Sequence, residues 1–153
     1  MTKDELIRKL GLVSLVPEGG YVKEMHHGKV INGRSIYSTI YYMLTEDCVS
    51  RMHRLDSDEI WFFHDGISVE IYLIYDDHDE IRYLGKDLDK GEELQIVVPA
   101  GVYMGARLKD KGEYSLLSTC MAPAYRDEGF VLGAYEELID RSNHPELLKI
   151  LTD

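Results

Sequence analysis

The sequence is poor in the features that define several protein classes. It has two cysteines, Cys48 and Cys120, far apart and without a C-x-x-C spacing. A disulfide framework or a cysteine-based metal knuckle is therefore not expected, and two free buried thiols in a reducing compartment are. No apolar run approaches the roughly 20 residues that a membrane-spanning helix needs. The opening Met1-Thr2-Lys3-Asp4-Glu5 lacks an apolar signal core, so a cytoplasmic protein with no membrane partner is expected. Basic residues are few, 17 against 28 acidic, for a net charge of -11. That field repels phosphate backbones, and no Lys/Arg cluster overrides it locally, so nucleic acid is not an expected partner. An anionic small molecule is still admitted, because one pocket arginine or lysine outweighs a distant field. The carboxylates of Asp76 to Glu80 lack the spacing and glycine of an EF-hand loop and read as a solvated hairpin turn. There is no internal repeat and no low-complexity segment.

What is present is a globular composition, 44% hydrophobic over 153 residues, enough for one domain with a real core. Thr2-Lys3-Asp4-Glu5 forms a capping box for a short helix whose apolar face is Leu6, Ile7 and Leu10 and whose stop is Gly11. From about 21 to 123 the pattern becomes β. Ser35 to Leu44, Glu59 to Phe63, Val69 to Tyr75, Leu94 to Val98, Val102 to Leu108 and Tyr114 to Met121 read as strands between Gly and Asp turns. Many short strands of this kind point to a sandwich or barrel. Beyond Pro123 the chain turns helical, with Tyr135 to Ile139 and Pro145 to Leu151 as two short helices in an extension over about 133–152. The expectation is a single domain over 1–153, mainly β, with short terminal helices and no linker.

The segment most charged with chemistry runs from His53 to Gly66. It places a glutamate, Glu59, six residues after His53, and Gly66 seven further. This H-x5-E-x6-G spacing resembles the first motif of the cupin barrels, which has a second histidine where this chain has Leu55. Pro99-Ala100-Gly101 resembles the P-x-G of the second cupin motif, in which a histidine follows where this chain has Met104. Several further blocks, in order along nearly the whole chain, resemble the cupin subfamily known as DUF985, cupin superfamily 5. They are Pro17-Glu18-Gly19-Gly20-Tyr21, Ser38 to Leu44, Leu84-Gly85, Cys120 to Tyr125, and Glu136 to Ile139 with Pro145-Glu146. Two positions depart from the family pattern: Tyr103-Met104 stands for an aromatic-Gln pair, and Ala124-Tyr125 for Gly-Phe.

The resemblance implies a cupin double-stranded β-helix, or jelly-roll barrel, usually a homodimer, with a pocket at the barrel mouth. Its overall architecture is similar to the sugar-nucleotide epimerase branch of the cupins. A cupin metal would need three or four N/O ligands in that pocket. This chain supplies His53 and Glu59 and puts Leu55 and Met104 where two imidazoles should be. No cofactor is expected, and a divalent metal, if any, would sit on His53 and Glu59.

Period-two alternation sends Trp61 and Phe63 to the same face as Glu59, and Val102 and Ala106 to the same face as Met104. The expected pocket is thus apolar and aromatic, with His53 and Glu59 as polar anchors and Tyr41, Trp61, Tyr72 and Met104 as walls. His53 is the candidate base or acid, with Glu59 holding its tautomer. Buried Glu59 must find a partner or keep its proton. Trp61 reads either as a platform for a ligand or as a core residue. Glu18 reads as placed at the barrel mouth or at a subunit interface. His26-His27 reads as a loop pair beside Gly28. Three functional readings remain open: a binder of a small carbohydrate-like or acidic metabolite, a metal-independent sugar or sugar-nucleotide isomerase or epimerase using His53 and a pocket tyrosine, and a metallo-cupin enzyme. A module with a pocket filled by its own side chains is the non-catalytic alternative.

Overall fold

A computed structural model describes residues 1–153. Helix α1 (Lys3–Leu10) starts at Thr2, whose hydroxyl accepts the Glu5 N–H, and ends at Gly11 in the left-handed conformation. Thirteen strands follow: β1 (Val13–Ser14), β2 (Tyr21–His27), β3 (Val30–Ile31), β4 (Arg34–Ser35), β5 (Ser38–Thr45), β6 (Ser50–Arg54), β7 (Asp58–Gly66), β8 (Val69–Ile74), β9 (Asp79–Leu84), β10 (Gln95–Val98), β11 (Tyr103–Leu108), β12 (Tyr114–Ala122) and β13 (Val131–Leu132). The chain closes with α2 (Tyr135–Leu138), a 3-10 turn and α3 (Pro145–Ile150), which begins on Pro145 at the first helical position.

Two antiparallel sheets face each other. One has the order β1-β2-β5-β12-β7-β10 and the other β13-β6-β11-β8-β9, with β3 and β4 forming a separate hairpin. This is the jelly-roll barrel that the family resemblance implied, within the sandwich-or-barrel class that the strand pattern pointed to. The six expected strands are all present within a few residues at each end. Strands β2, β6 and β9 extend the set, and His26-His27 ends β2 instead of lying in a loop. Asp76 to His78 form the β8–β9 turn, as read from the sequence.

The barrel interior holds Tyr42, Leu44, Trp61, Val69, Ile71, Leu73, Val98, Val102, Met104, Ala106 and Leu117. Alternation along β7 and β11 thus runs in the expected phase. A second cluster lies on the outer face of the five-stranded sheet, where Met52, Tyr72, Ile74 and Tyr103 meet Leu138, Leu147, Leu148 and Leu151 of the helical extension. Strand β8 is therefore covered on both faces, the barrel taking Ile71 and Leu73 and the helices taking Tyr72 and Ile74. No helix is long and apolar enough to cross a membrane.

Candidate functional site

A cavity of about 410 Å3 opens at one end of the barrel. Its floor comes from the barrel strands: Ile40 of β5, Glu59 of β7, Thr119 and Met121 of β12, and Leu55 just after β6. Two segments outside regular strands complete the wall. The first is Leu15 to Glu18, and the second contributes Tyr125, Asp127 and Phe130.

The Pro17–Gly20 turn is pinned to the barrel through its backbone. Arg51 donates its N–H to the Glu18 carbonyl at 2.7 Å and its Nη1 to the Pro17 carbonyl at 2.9 Å. The Tyr42 hydroxyl donates to the Gly19 carbonyl. Gly20 has φ +82°, and a Cβ there would sit 2.5 Å from Tyr42 Oη and 2.6 Å from its Cζ, so only glycine lets the turn lie this close. The result places the Glu18 side chain at the barrel mouth.

The second segment is tied down by a charge cluster. Asp56 accepts from Arg34 and from Arg126, each at 2.7 Å, and Arg34 also donates through Nε to the Ala124 carbonyl at 2.8 Å. Burial alone would raise the Asp56 carboxyl, but the two guanidinium groups win and hold it below the usual carboxylate range. Ser57 donates to the Pro123 carbonyl, and the Tyr125 N–H to Ser38 Oγ at 2.9 Å. These bonds span 22 to 90 residues of sequence, which is why no local pattern announces them.

Glu59 and Trp61 are buried on one face of β7, and the indole N–H donates to Glu59 Oε1 at 2.9 Å. Glu59 is 7% exposed and lines the cavity. Burial pushes its carboxyl up to about 7. The charge of Glu18 adds to that rise, while His53, the Trp61 N–H and the Thr119 hydroxyl oppose it. A carboxyl poised near neutrality donates or accepts a proton readily. Tyr42 is held well above its ordinary value, first by burial and then by the Glu18 charge. The Tyr125 phenol is pushed up to about 12 by burial and by its bond to Asp127.

His53 lies behind this surface. It is 1% exposed and is not part of the cavity lining. A carbonyl only accepts, so the 2.6 Å contact between His53 Nδ1 and the Arg51 carbonyl puts a proton on Nδ1. Nε2 then faces Glu18 Oε1 at 3.5 Å, and the ring stacks on Phe130 with centroids 5.2 Å apart. Its nearest carboxylate partner is therefore Glu18, and its tautomer is set by a backbone carbonyl and not by Glu59.

The expected walls divide. Met104 points into the barrel directly across from His53 in the β11–β6 register, but it is packed at 1% exposure beneath the cavity. Trp61, also 1% exposed, is a core residue and the donor that holds Glu59; it offers no face to a ligand. Tyr41 does not reach the cavity. It lies on the outer face of β5, edge-on to His64, because its neighbour Tyr42 takes the inward position. Tyr72 lies under the C-terminal helices, with its hydroxyl 2.5 Å from both Asp79 and Ser142. Phe130, Tyr125, Thr39 and Thr119 are lining residues without a local sequence signal, since two come from an irregular segment and the threonines read as ordinary strand residues.

The donor set does not fit a cupin metal. Leu55 lines the cavity and Met104 faces His53 where imidazoles would be needed, and no group of three His, Cys, Asp or Glu side chains is placed to hold an ion. The arrangement is instead suited to hydrogen bonding and proton transfer, with Glu18 and Glu59 as two interacting carboxyls in a partly apolar cavity.

Comparisons place this geometry among known proteins. The family model described as Cupin superfamily (DUF985) matches residues 4–133. Protein SO0799 from Shewanella oneidensis is 30% identical with a TM-score of 0.93, covering 100% of this chain and 98% of that one. A hypothetical protein from Leishmania major is 29% identical, TM-score 0.85, covering 99% and 97%. Oxalate decarboxylase from Bacillus subtilis, at 12% identity and TM-score 0.60 over 92% of this chain and 37% of that one, shares the fold. A comparison with curated proteins gives no match. With the barrel, the motif spacing and the family match in agreement, the chain belongs to the DUF985 family of the cupin superfamily.

Proposed function

We propose that the protein binds a small, hydroxyl-rich, carbohydrate-like metabolite at the barrel mouth, without an obligatory metal. The observation that carries this reading is the cavity itself. At about 410 Å3 it falls in the size range of small-molecule sites, and it combines apolar walls with a few convergent polar groups. Leu15, Leu55, Met121 and Phe130 are suited to the carbon faces of a ring. Ser38, Thr119 and Glu59 offer both donors and acceptors, which a polyol needs and an apolar ligand does not. An acidic metabolite is less well served, because no lysine or arginine lines the cavity. The homodimer implied by the family resemblance belongs to the same proposal and is read by light scattering on the purified chain.

The test is a titration of common pentoses and hexoses followed by saturation-transfer NMR, repeated with Thr119→Val. Binding that weakens about tenfold in the variant, a loss of about 1.4 kcal/mol, supports the site. Unchanged binding, or no transfer to any sugar, removes the reading.

A second reading, a metal-independent sugar isomerase or epimerase, draws on the phenol of Tyr125 and the carboxyls of Glu18 and Glu59 in one cavity. Buried His53 would act through Glu18 and not on the substrate directly. The chemistry would move a proton from the carbon beside a carbonyl to a carboxylate; epimerisation returns one to the same carbon, and isomerisation returns one to the adjacent carbon while the neighbouring hydroxyl gives up its proton and the former carbonyl oxygen gains one. Deuterium wash-in from D2O, lost in Glu59→Gln, is the expected signature. No exchange with any aldose or ketose tested would leave binding alone.

A further inference from the structure

We infer that the apolar rim of the barrel mouth, built on the β3–β4 hairpin, is the face on which a second copy of this chain docks, so that each cavity is walled in part by its partner. This rests on the homodimer included in the proposed function and adds the face that forms it and its consequence for the cavity.

The hairpin belongs to neither barrel sheet. Its strands pair only with each other, across a turn in which Asn32 and Gly33 both have positive φ. A two-stranded hairpin is marginal in water unless its apolar side is packed. This one is held to the barrel by polar bonds, from the Ala124 N–H to the Ser35 carbonyl at 3.0 Å and from Arg34 to the Ala124 carbonyl and Asp56. Its apolar side chains stay outside: Val30 is 65% exposed, Ile31 is 50% exposed, and Ile36 and Tyr37 are exposed beside them. The surface they form runs on to the mouth. The hairpin leaves from His27 and returns at Ser38, and both of those residues line the cavity. Val16, 81% exposed, and exposed Tyr125 line it too, and the Tyr125 N–H bonds to Ser38.

Area and charge together select the occupant. Six of the fourteen exposed large hydrophobic side chains thus gather at the mouth, where scattered single residues would need no explanation. At their exposures they present on the order of 500 Å2. A standard interface takes about 800 Å2 from each partner, of which about 450–500 Å2 is apolar, so the rim is large enough for one. The net charge of -11 opposes self-association over most of the surface. The rim is the exception. Lys29, Arg34 and Arg126 stand there with Asp56, Asp127 and Glu128, three of each sign, and Arg34 and Arg126 both close on Asp56. Such a balanced face does not repel its own copy, and it offers no excess of either charge to an anionic surface or a basic segment. A two-fold contact is self-complementary, so the hairpin of one protomer meets the mouth of the other and the reverse. The partner's Val30 and Ile31 then cover Val16 and Tyr125 and close one side of the cavity entrance.

The test is sedimentation of the purified chain across a concentration series, with hydroxyl-radical footprinting of the unmutated protein above and below its dimer Kd. The expected result is a monomer–dimer equilibrium with Kd at or below about 10 μM. Tyr37 and Tyr125 should lose reactivity on dimerisation, while Leu88 of the β9–β10 connection, 62% exposed, keeps its own. Val30→Lys combined with Ile31→Lys, at positions with little burial to lose, should weaken the dimer at least about thirtyfold. Leu88→Lys should leave it within about twofold. A chain still monomeric at about 100 μM overturns the inference and the homodimer together, and the sugar titration then decides the metabolite reading by itself. A dimer that the two lysines do not weaken, or in which Tyr37 and Tyr125 stay reactive, overturns this face and leaves the homodimer standing. Binding of the monomer to phosphatidylcholine vesicles gives the rim to a lipid surface and overturns the inference as well.

Discussion

Replacing Glu59 with glutamine isolates the electrostatic cost of the cavity. Burial and the neighbouring Glu18 raise the carboxyl to about 7 from an ordinary 4.5. The folded state therefore holds the proton over a window of about 2.5 units (7 minus 4.5), which at about 1.4 kcal/mol per unit amounts to about 3 kcal/mol. The sign follows from which state binds the proton more tightly. Below pH 4.5 the group is protonated in both states and costs nothing. As pH rises towards 7 the unfolded chain ionises first, so stability falls, and above 7 the loss is complete. Asp56, Asp65, Asp79 and Glu92, held below their ordinary values, act with the opposite sign and in a more acid window. Glu59→Gln keeps an oxygen for the Trp61 N–H and does not titrate. Urea unfolding followed by the fluorescence of the single tryptophan, at about pH 4.5 and about pH 8, reads the difference. Between those conditions the glutamine variant should gain about 3 kcal/mol on the parent protein. A gap that stays constant to within about 0.5 kcal/mol would show that Glu59 does not titrate as a buried, Glu18-coupled acid.

Two further outcomes separate packing from function. Tyr72→Phe removes a hydroxyl bonded to Asp79 and Ser142 and should cost about 1–2 kcal/mol in urea unfolding. Ligand affinity at the barrel mouth should not move with it, and a tenfold change would return Tyr72 to the site. Gly20→Ala forces a Cβ to within 2.5 Å of Tyr42 Oη at a φ of +82°. Gly33 has the same φ with nothing within 4 Å, so Gly33→Ala carries the backbone strain without the clash. The Gly20 variant should lose more stability than the Gly33 variant by at least about 1 kcal/mol in the urea midpoint; equal losses would mean the Pro17–Gly20 turn is not packed on Tyr42.

The barrel was legible because strands record their faces at period two. Glu59 and Trp61 share a face for that reason, as do Val102, Met104 and Ala106, and both sets proved inward. The loss of the cupin imidazoles was equally visible, as Leu55 and Met104 at fixed spacing. Tyr41 and Tyr42 are chemically alike neighbours, so composition could not say which one the barrel takes. Tyr72 belongs to a strand buried on both faces, where hydrophobicity carries no phase and only the docking of the C-terminal helices decides the side. Whether His53 meets a ligand depended on Glu18, which a turn 35 residues earlier lays in front of it (53 minus 18). The sequence by itself determined the fold, the family and the inward phase of β7 and β11, because those follow from local periodicity and ordered motifs. Only the tertiary structure decided the site, because Glu18, Tyr125, Asp127 and Phe130 reach the cavity through backbone bonds and ion pairs formed across the whole length of the chain.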